Sequence, residues 1–154
     1  MSFLIRQCAP KDMKDLMRFV REIAGLYCVP VDTIRIKEED LKEAGFGKHP
    51  RYECFVAEVP PEQKTKEGHT LIGYILSVYT YSIWRGKNLY IDNLYVMPEF
   101  RGYLSQWPSS RPWQQMKPVQ KALCNAPINT QIPSISWKLD EKFLPLASAG
   151  SAAN

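Results

Sequence analysis

From Asn88 to Val96 an apolar and aromatic run carries a single carboxylate, Asp92, and gives way to Met97-Pro98-Glu99-Phe100-Arg101-Gly102. β-branched and aromatic residues in that density favour a buried strand, and Pro98 ends it, because proline has no amide to give a ladder. A turn built from proline, an acid and an aromatic and leading into Arg-Gly suits a site for the phosphates of a bound cofactor. A phosphate-cradling loop would continue with further glycines and then a helix, since free amide N–H groups at a helix N-terminus hold anions. Here the chain runs on through Tyr103-Leu104-Ser105-Gln106-Trp107-Pro108 and meets no glycine before Gly150.

Pattern elsewhere predicts an α+β fold. Phe3–Arg6 reads as a short strand. Pro10 and Asp12 mark a helix start, and Met13, Leu16, Met17, Val20, Ile23 and Ala24 fall at the spacing of one buried face. Gly25 and Pro30 bracket its end. Lys37–Ala44 reads as a second short helix with Gly45 just past its last turn. Cys54–Val59 and Leu71–Tyr79 are strands, and Gly86-Lys87 turns the chain into a fourth. The β-α-α-β-β-β order predicts an antiparallel meander with helices to one side.

The length of 154 residues fits one domain, and 45% hydrophobic residues are enough for a sizeable core. A net charge of +4 is mild. Lys and Arg do not cluster with interleaved aromatics, so nucleic acid is not an expected partner. No apolar run approaches the ~20 residues of a membrane span, and no leader is recognisable. Cys8, Cys28, Cys54 and Cys124 lack metal or disulfide-framework spacing. A cytoplasmic protein without membrane partners is expected. His49 and His69 stand in turns without other ligand types, as structural or surface residues.

Beyond Tyr103 the grammar changes. Pro108, Pro112, Pro118, Pro127, Pro133 and Pro145 interrupt nearly every helix-length run. Met116–Cys124 can make about two turns and Ile132–Trp137 a short strand; the rest is expected to be irregular. Trp and Met have single codons, so Gln106–Lys117 can be back-translated. Read one base earlier, it permits an alanine- and aliphatic-rich helix. A frame-shifted or alternatively spliced tail over 103–154 is the expectation.

Residues 3–102 resemble the spermidine/spermine N1-acetyltransferase and thialysine N-acetyltransferase group of the GNAT superfamily. Asp40-Leu41, Gly45-Phe46-Gly47 and His49-Pro50 look like its linker after the second helix, and Tyr52 with Cys54–Val59 like its second strand. Glu67-Gly68-His69, Gly73-Tyr74, Tyr79-Thr80-Tyr81, Trp84 and Gly86-Lys87 look like its central hairpin. Leu89–Asp92, Val96-Met97 and Arg101-Gly102 match the fourth strand and the opening of the CoA loop. The resemblance stops at Gly102.

It implies an acetyl-CoA-dependent N-acetyltransferase of polyamines or related small amines. Such a reaction needs a base for the ammonium proton, donors for the thioester oxygen and a proton for the thiolate. Asp92 stands at the family's active-site carboxylate, usually Glu; one methylene shorter, it would act through a water. Leu94, Tyr95 and Val96 match the segment whose main chain pairs with the pantetheine arm. Arg101 and Gly102 match the first residues of the phosphate loop. The family's general-acid tyrosine has no counterpart, since Tyr103 is the last tyrosine. The acidic residue that follows the first helix in polyamine enzymes is also missing, as no carboxylate occurs between Gly25 and Asp32. Tyr79, Tyr81 and Tyr90 read as core or cleft-wall aromatics. An impaired or inactive enzyme is therefore expected. The alternative is a silent GNAT-like partner that dimerises with an intact acetyltransferase; a homodimer fits the same part.

Overall fold

The computed structural model describes residues 3–84 and 86–101, with the backbone alone at Asn88 and 135–138. The elements run β1 (Leu4–Gln7), α1 (Met13–Leu26), α2 (Glu38–Phe46), β2 (Glu53–Glu58), β3 (Leu71–Ser82), β4 (Gly86–Val96) and β5 (Ile135–Lys138). All neighbours in the five-stranded sheet β1-β2-β3-β4-β5 are antiparallel. The α+β meander predicted from pattern is the observed fold. β5 overlaps the strand expected at Ile132–Trp137; the two turns expected at Met116–Cys124 and Gly102 lie outside the described residues.

α1 docks on the sheet through Met13, Leu16, Met17, Phe19 and Ala24, all buried. Phe19, which the predicted stripe omits, is at its centre. Its ring stacks on Tyr74 of β3 at 5.5 Å and 7°, and tilts against Tyr95 of β4 at 5.4 Å. Val56, Ile72, Ile75, Leu89 and Ile91 complete one continuous core around them. Alternation explains the sheet's part: Val56, Tyr74 and Tyr95 lie in one row across three strands, so their side chains share a face.

The edge strand is pinned by charge. Arg6 clasps Asp12 with two bonds, Nη1 to Oδ2 at 2.7 Å and Nη2 to Oδ1 at 3.0 Å, while its Nε donates to Glu58 Oε2 at 2.7 Å. The Ala9 N–H adds a bond to Asp12 Oδ2 at 2.7 Å. Burial pushes the Asp12 carboxyl up, but the Arg6 and Ala9 hydrogen bonds outweigh it and hold it below the usual carboxylate range. A depressed native value stabilises the fold above the ordinary carboxylate pKa, and that stability is lost as pH falls through the native value. Thermal denaturation is therefore expected to show a falling limb below about pH 4. Asp12→Asn should flatten that limb and, at neutral pH, cost ~2 kcal/mol for the lost charged hydrogen bonds.

The end of α1 falls between Gly25 and Pro30 as expected, whereas the end of α2 differs from the sequence reading. α2 runs through Gly45 to Phe46 and ends at Gly47. Gly45 is internal because the Tyr52 side chain packs on it: a Cβ there would lie 2.5 Å from the Tyr52 hydroxyl oxygen, which donates to Leu41 O at 2.6 Å. α1 continues past Gly25, and the left-handed residue beyond it is Cys28, at φ 54°. Nothing lies within 4 Å of a Cβ built on Gly25. Gly25→Ala is thus expected to raise stability by ~0.5–1 kcal/mol through helix propensity, read as a higher Tm.

Candidate functional site

The β3–β4 ladder loses step at one place. Leu76 faces Asn93 and Ser77 faces Ile91, so Asp92 is the extra residue of a bulge. Bulges bend a strand and re-aim the side chain, and they recur beside active sites. Asp92 is exposed there. On β3 the Tyr74 hydroxyl is buried and has no hydrogen-bond partner among the described residues. Burial first, then the proximity of Cys54, Asp92 and Tyr95, pushes the Tyr74 phenol far above its ordinary value. A strand carrying one carboxylate was legible along the chain; the bulge was not, since a register shift is a property of the pair.

On the other side of β4, β5 pairs with Asn88 through Ile91 and stops one residue short of Asp92. The Met97 N–H bonds Ile72 O at 2.8 Å. By ladder alternation this turns the main-chain groups of Tyr95 toward β3 and those of Leu94 and Val96 outward. Among the described residues no strand covers that outward edge. All three residues are buried.

The Tyr95 hydroxyl donates to Glu22 Oε2 at 2.7 Å, and Arg18 Nη1 bonds the other Glu22 oxygen at 3.0 Å. Burial, then the Glu22 bond, raises the Tyr95 phenol strongly. Glu22, unmarked in the sequence reading, thereby ties α1 to the end of the candidate edge. The predicted turn after β4 is present as a single 3-10 turn, Pro98–Phe100, with Phe100 buried beneath it. It folds Arg101 back, so that its Nε donates to Val96 O at 2.9 Å, while one buried Nη has no partner among the described residues.

The aromatic wall is corrected in part. Tyr79 and Tyr81 are not core: they are 52% and 80% exposed, and Ile83 and Trp84 at the hairpin tip are 84% and 87% exposed. The Lys87 ammonium lies 4.4 Å over the Tyr79 ring, a cation–π contact. His69 stands between Asp15 at 3.6 Å and Glu67 at 3.7 Å. No group of three metal-ligating side chains occurs among the described residues. No described helix is long and apolar enough to cross a membrane. A cavity of about 670 Å³ opens beside Tyr52, Cys54 and Tyr79 and is not lined by Asp92.

No family model matches the chain. Over 101 residues it is 40% identical to the thialysine N-epsilon-acetyltransferase of Sus scrofa, an alignment taking in 66% of this chain and 59% of that protein. The Mus musculus thialysine N-epsilon-acetyltransferase is 39% identical over 98 residues, 64% of this chain and 57% of that one. The Homo sapiens spermidine/spermine N(1)-acetyltransferase-like protein 1 is 32% identical over 100 residues, 65% of this chain and 14% of that protein. Among solved structures, a possible acetyltransferase from Clostridium difficile 630 superposes with a TM-score of 0.45 at 20% identity, covering 66% of this chain and 62% of that one. The resemblance carried by the motifs between Phe3 and Gly102 is thus borne out. It is that of a segment, as the chain spans 59% of the length of its pig relative.

Proposed function

We propose that residues 3–102 are the amine-side half of an acetyl-CoA-dependent N-acetyltransferase acting on thialysine, spermidine or a related small amine. The observation that carries this reading is the bulge at Asp92, with no described strand pairing with β4 beyond Ile91 on its outer edge. Asp92 takes the ammonium proton through one water, its shorter side chain leaving room for it. The outward N–H and C=O groups of Leu94 and the Val96 N–H pair with the pantetheine amides, and Tyr95 holds that edge in place through Glu22. Arg101 offers its unpartnered Nη, with the Gly102 amide, to a phosphate. Exposed rings at Tyr79, Tyr81 and Trp84 suit an ammonium-bearing substrate.

After Gly102 the sequence departs from the family pattern, so this half works poorly with the tail it has. The test is a hybrid in which residues from 103 onward are replaced by the corresponding part of the pig thialysine acetyltransferase. It should acetylate thialysine or spermidine, and Asp92→Asn should lower kcat/KM by ~100-fold or more while acetyl-CoA affinity stays nearly unchanged. Equal loss of cofactor affinity would make Asp92 structural.

A second reading is favoured by the exposed Tyr81, Ile83 and Trp84 at the hairpin tip. In it the chain is a silent partner that dimerises with an intact acetyltransferase. Co-expression of the two chains and native mass measurement should then yield a heterodimer that Trp84→Ala weakens.

A further inference from the structure

Cys8 and Cys54 are scattered in sequence and adjacent in space. The β1–β2 register pairs Gln7 with Phe55, and one step on the Cys8 N–H bonds Cys54 O at 2.9 Å. Residues that bond in this way across antiparallel strands have Cα atoms ~5.5 Å apart and side chains on one face, within the ~4.4–6.8 Å that a disulfide spans. Both thiols are free, and they are 5% and 4% exposed. Each leans weakly on a carbonyl, Cys8 on Ala9 O at 3.6 Å and Cys54 on Phe55 O at 3.9 Å. Both also line the cavity of about 670 Å³, with Tyr52, Glu53, Arg51 and Tyr79 around them. Burial alone would make these thiols inert, but a shared open cavity gives a small reagent access to both. The hydrogen bond to Cys8, then burial, raises the Cys54 thiol well above its ordinary value.

We propose that Cys8 and Cys54 form an oxidisable pair, converted by a small hydroperoxide entering that cavity into a disulfide joining β1 to β2. The Cys8 thiolate attacks the peroxide's terminal oxygen, breaking the O–O bond. The departing oxygen takes a proton and leaves as water or an alcohol, and Cys8 is left as a sulfenic acid. The Cys54 sulfur then attacks the Cys8 sulfur, and the S–O bond breaks. Hydroxide leaves and takes up the Cys54 proton as water. Two thiols lose two electrons and the peroxide gains them. Cys28, exposed in the turn after α1, has no such partner among the described residues. The link closes a loop containing both helices, so the oxidised chain unfolds from a more constrained ensemble. None of this depends on the acetyltransferase reading.

The test treats the folded full chain with hydrogen peroxide, then denatures it and alkylates the remaining thiols. Peptide mapping should find Cys8 linked to Cys54, reversible by a dithiol reductant, and the oxidised chain should melt higher than the reduced one. Peroxide in strong denaturant should abolish the preference for this pair. In Cys54→Ser, dimedone should trap the sulfenic acid at Cys8. Cys8 and Cys54 that remain alkylatable after Cys28 has oxidised would overturn the proposal. So would separate sulfinic acids at the two sites, or either one linked mainly to Cys28. Should Cys54→Ser fail to fold, the map of the unmutated chain decides alone.

Discussion

Phe19→Ala is expected to destabilise the fold by ~3–5 kcal/mol at room temperature, a large share of its margin. The ring is 0% exposed and contacts both Tyr74 and Tyr95, the two aromatics that span the central strands. Removing a buried phenyl group costs ~3–5 kcal/mol, transfer and cavity together. Domains of this size are stable by only ~5–15 kcal/mol. The Arg18 guanidinium, 4.3 Å from the Phe19 ring, loses its stacking surface as well. The effect reaches the candidate site, because α1 also carries Glu22, the acceptor for Tyr95. Urea denaturation followed by circular dichroism should show a much lower midpoint with the slope retained. Phe19→Leu, which fills most of the space, should lose much less. A Phe19→Ala chain within ~1 kcal/mol of the parent would contradict the packing of α1 on the sheet.

Micromolar acetyl-CoA is expected to leave the Tm of the 154-residue chain unshifted, with acetylation of spermidine or thialysine at background. Pyrophosphate charge is met elsewhere by a glycine-rich amide nest and a helix N-terminus. From Tyr103 to Lys117 the sequence has no glycine, and Pro108 and Pro112 interrupt it. Each lost hydrogen bond to a charged oxygen is worth ~1.5–3 kcal/mol, so losing three weakens binding by roughly a thousandfold or more. Arg101 cannot replace them, since its Nε already serves the Val96 carbonyl and one cation–phosphate contact adds little in salt. A ligand far below its dissociation constant does not move a melting curve. Robust turnover by the homogeneous chain would show that another segment supplies the cofactor site. The hybrid with the relative's C-terminal part should instead bind acetyl-CoA and melt higher in its presence.

Element identity was legible along the chain. The Leu71–Tyr79 and Leu89–Val96 runs announce strands through β-branched and aromatic density, and the Met13–Ala24 stripe announces α1 through its spacing. Pro98-Glu99-Phe100 announces the turn that follows β4. These signals are local, because backbone preference and the period of burial act between residues a few positions apart. Asp92 was singled out for its type and its place in a resembling motif.

What joins distant segments was not legible. The end of α2 depends on a tyrosine seven residues past Gly45 packing where a Cβ would stand, and propensity alone stops the helix too early. Tyr79 and Tyr81 have core-like composition but lie exposed toward the tip of the β3–β4 hairpin. Phe19 against Tyr74 and Tyr95, Glu22 under the Tyr95 hydroxyl, and Cys8 opposite Cys54 are pairings across long loops, and a single chain read in order carries no term for them. The bulge that presents Asp92 is likewise a mismatch between two strands. Register exists only once β3 and β4 have met, and it is set by how their apolar faces share one core.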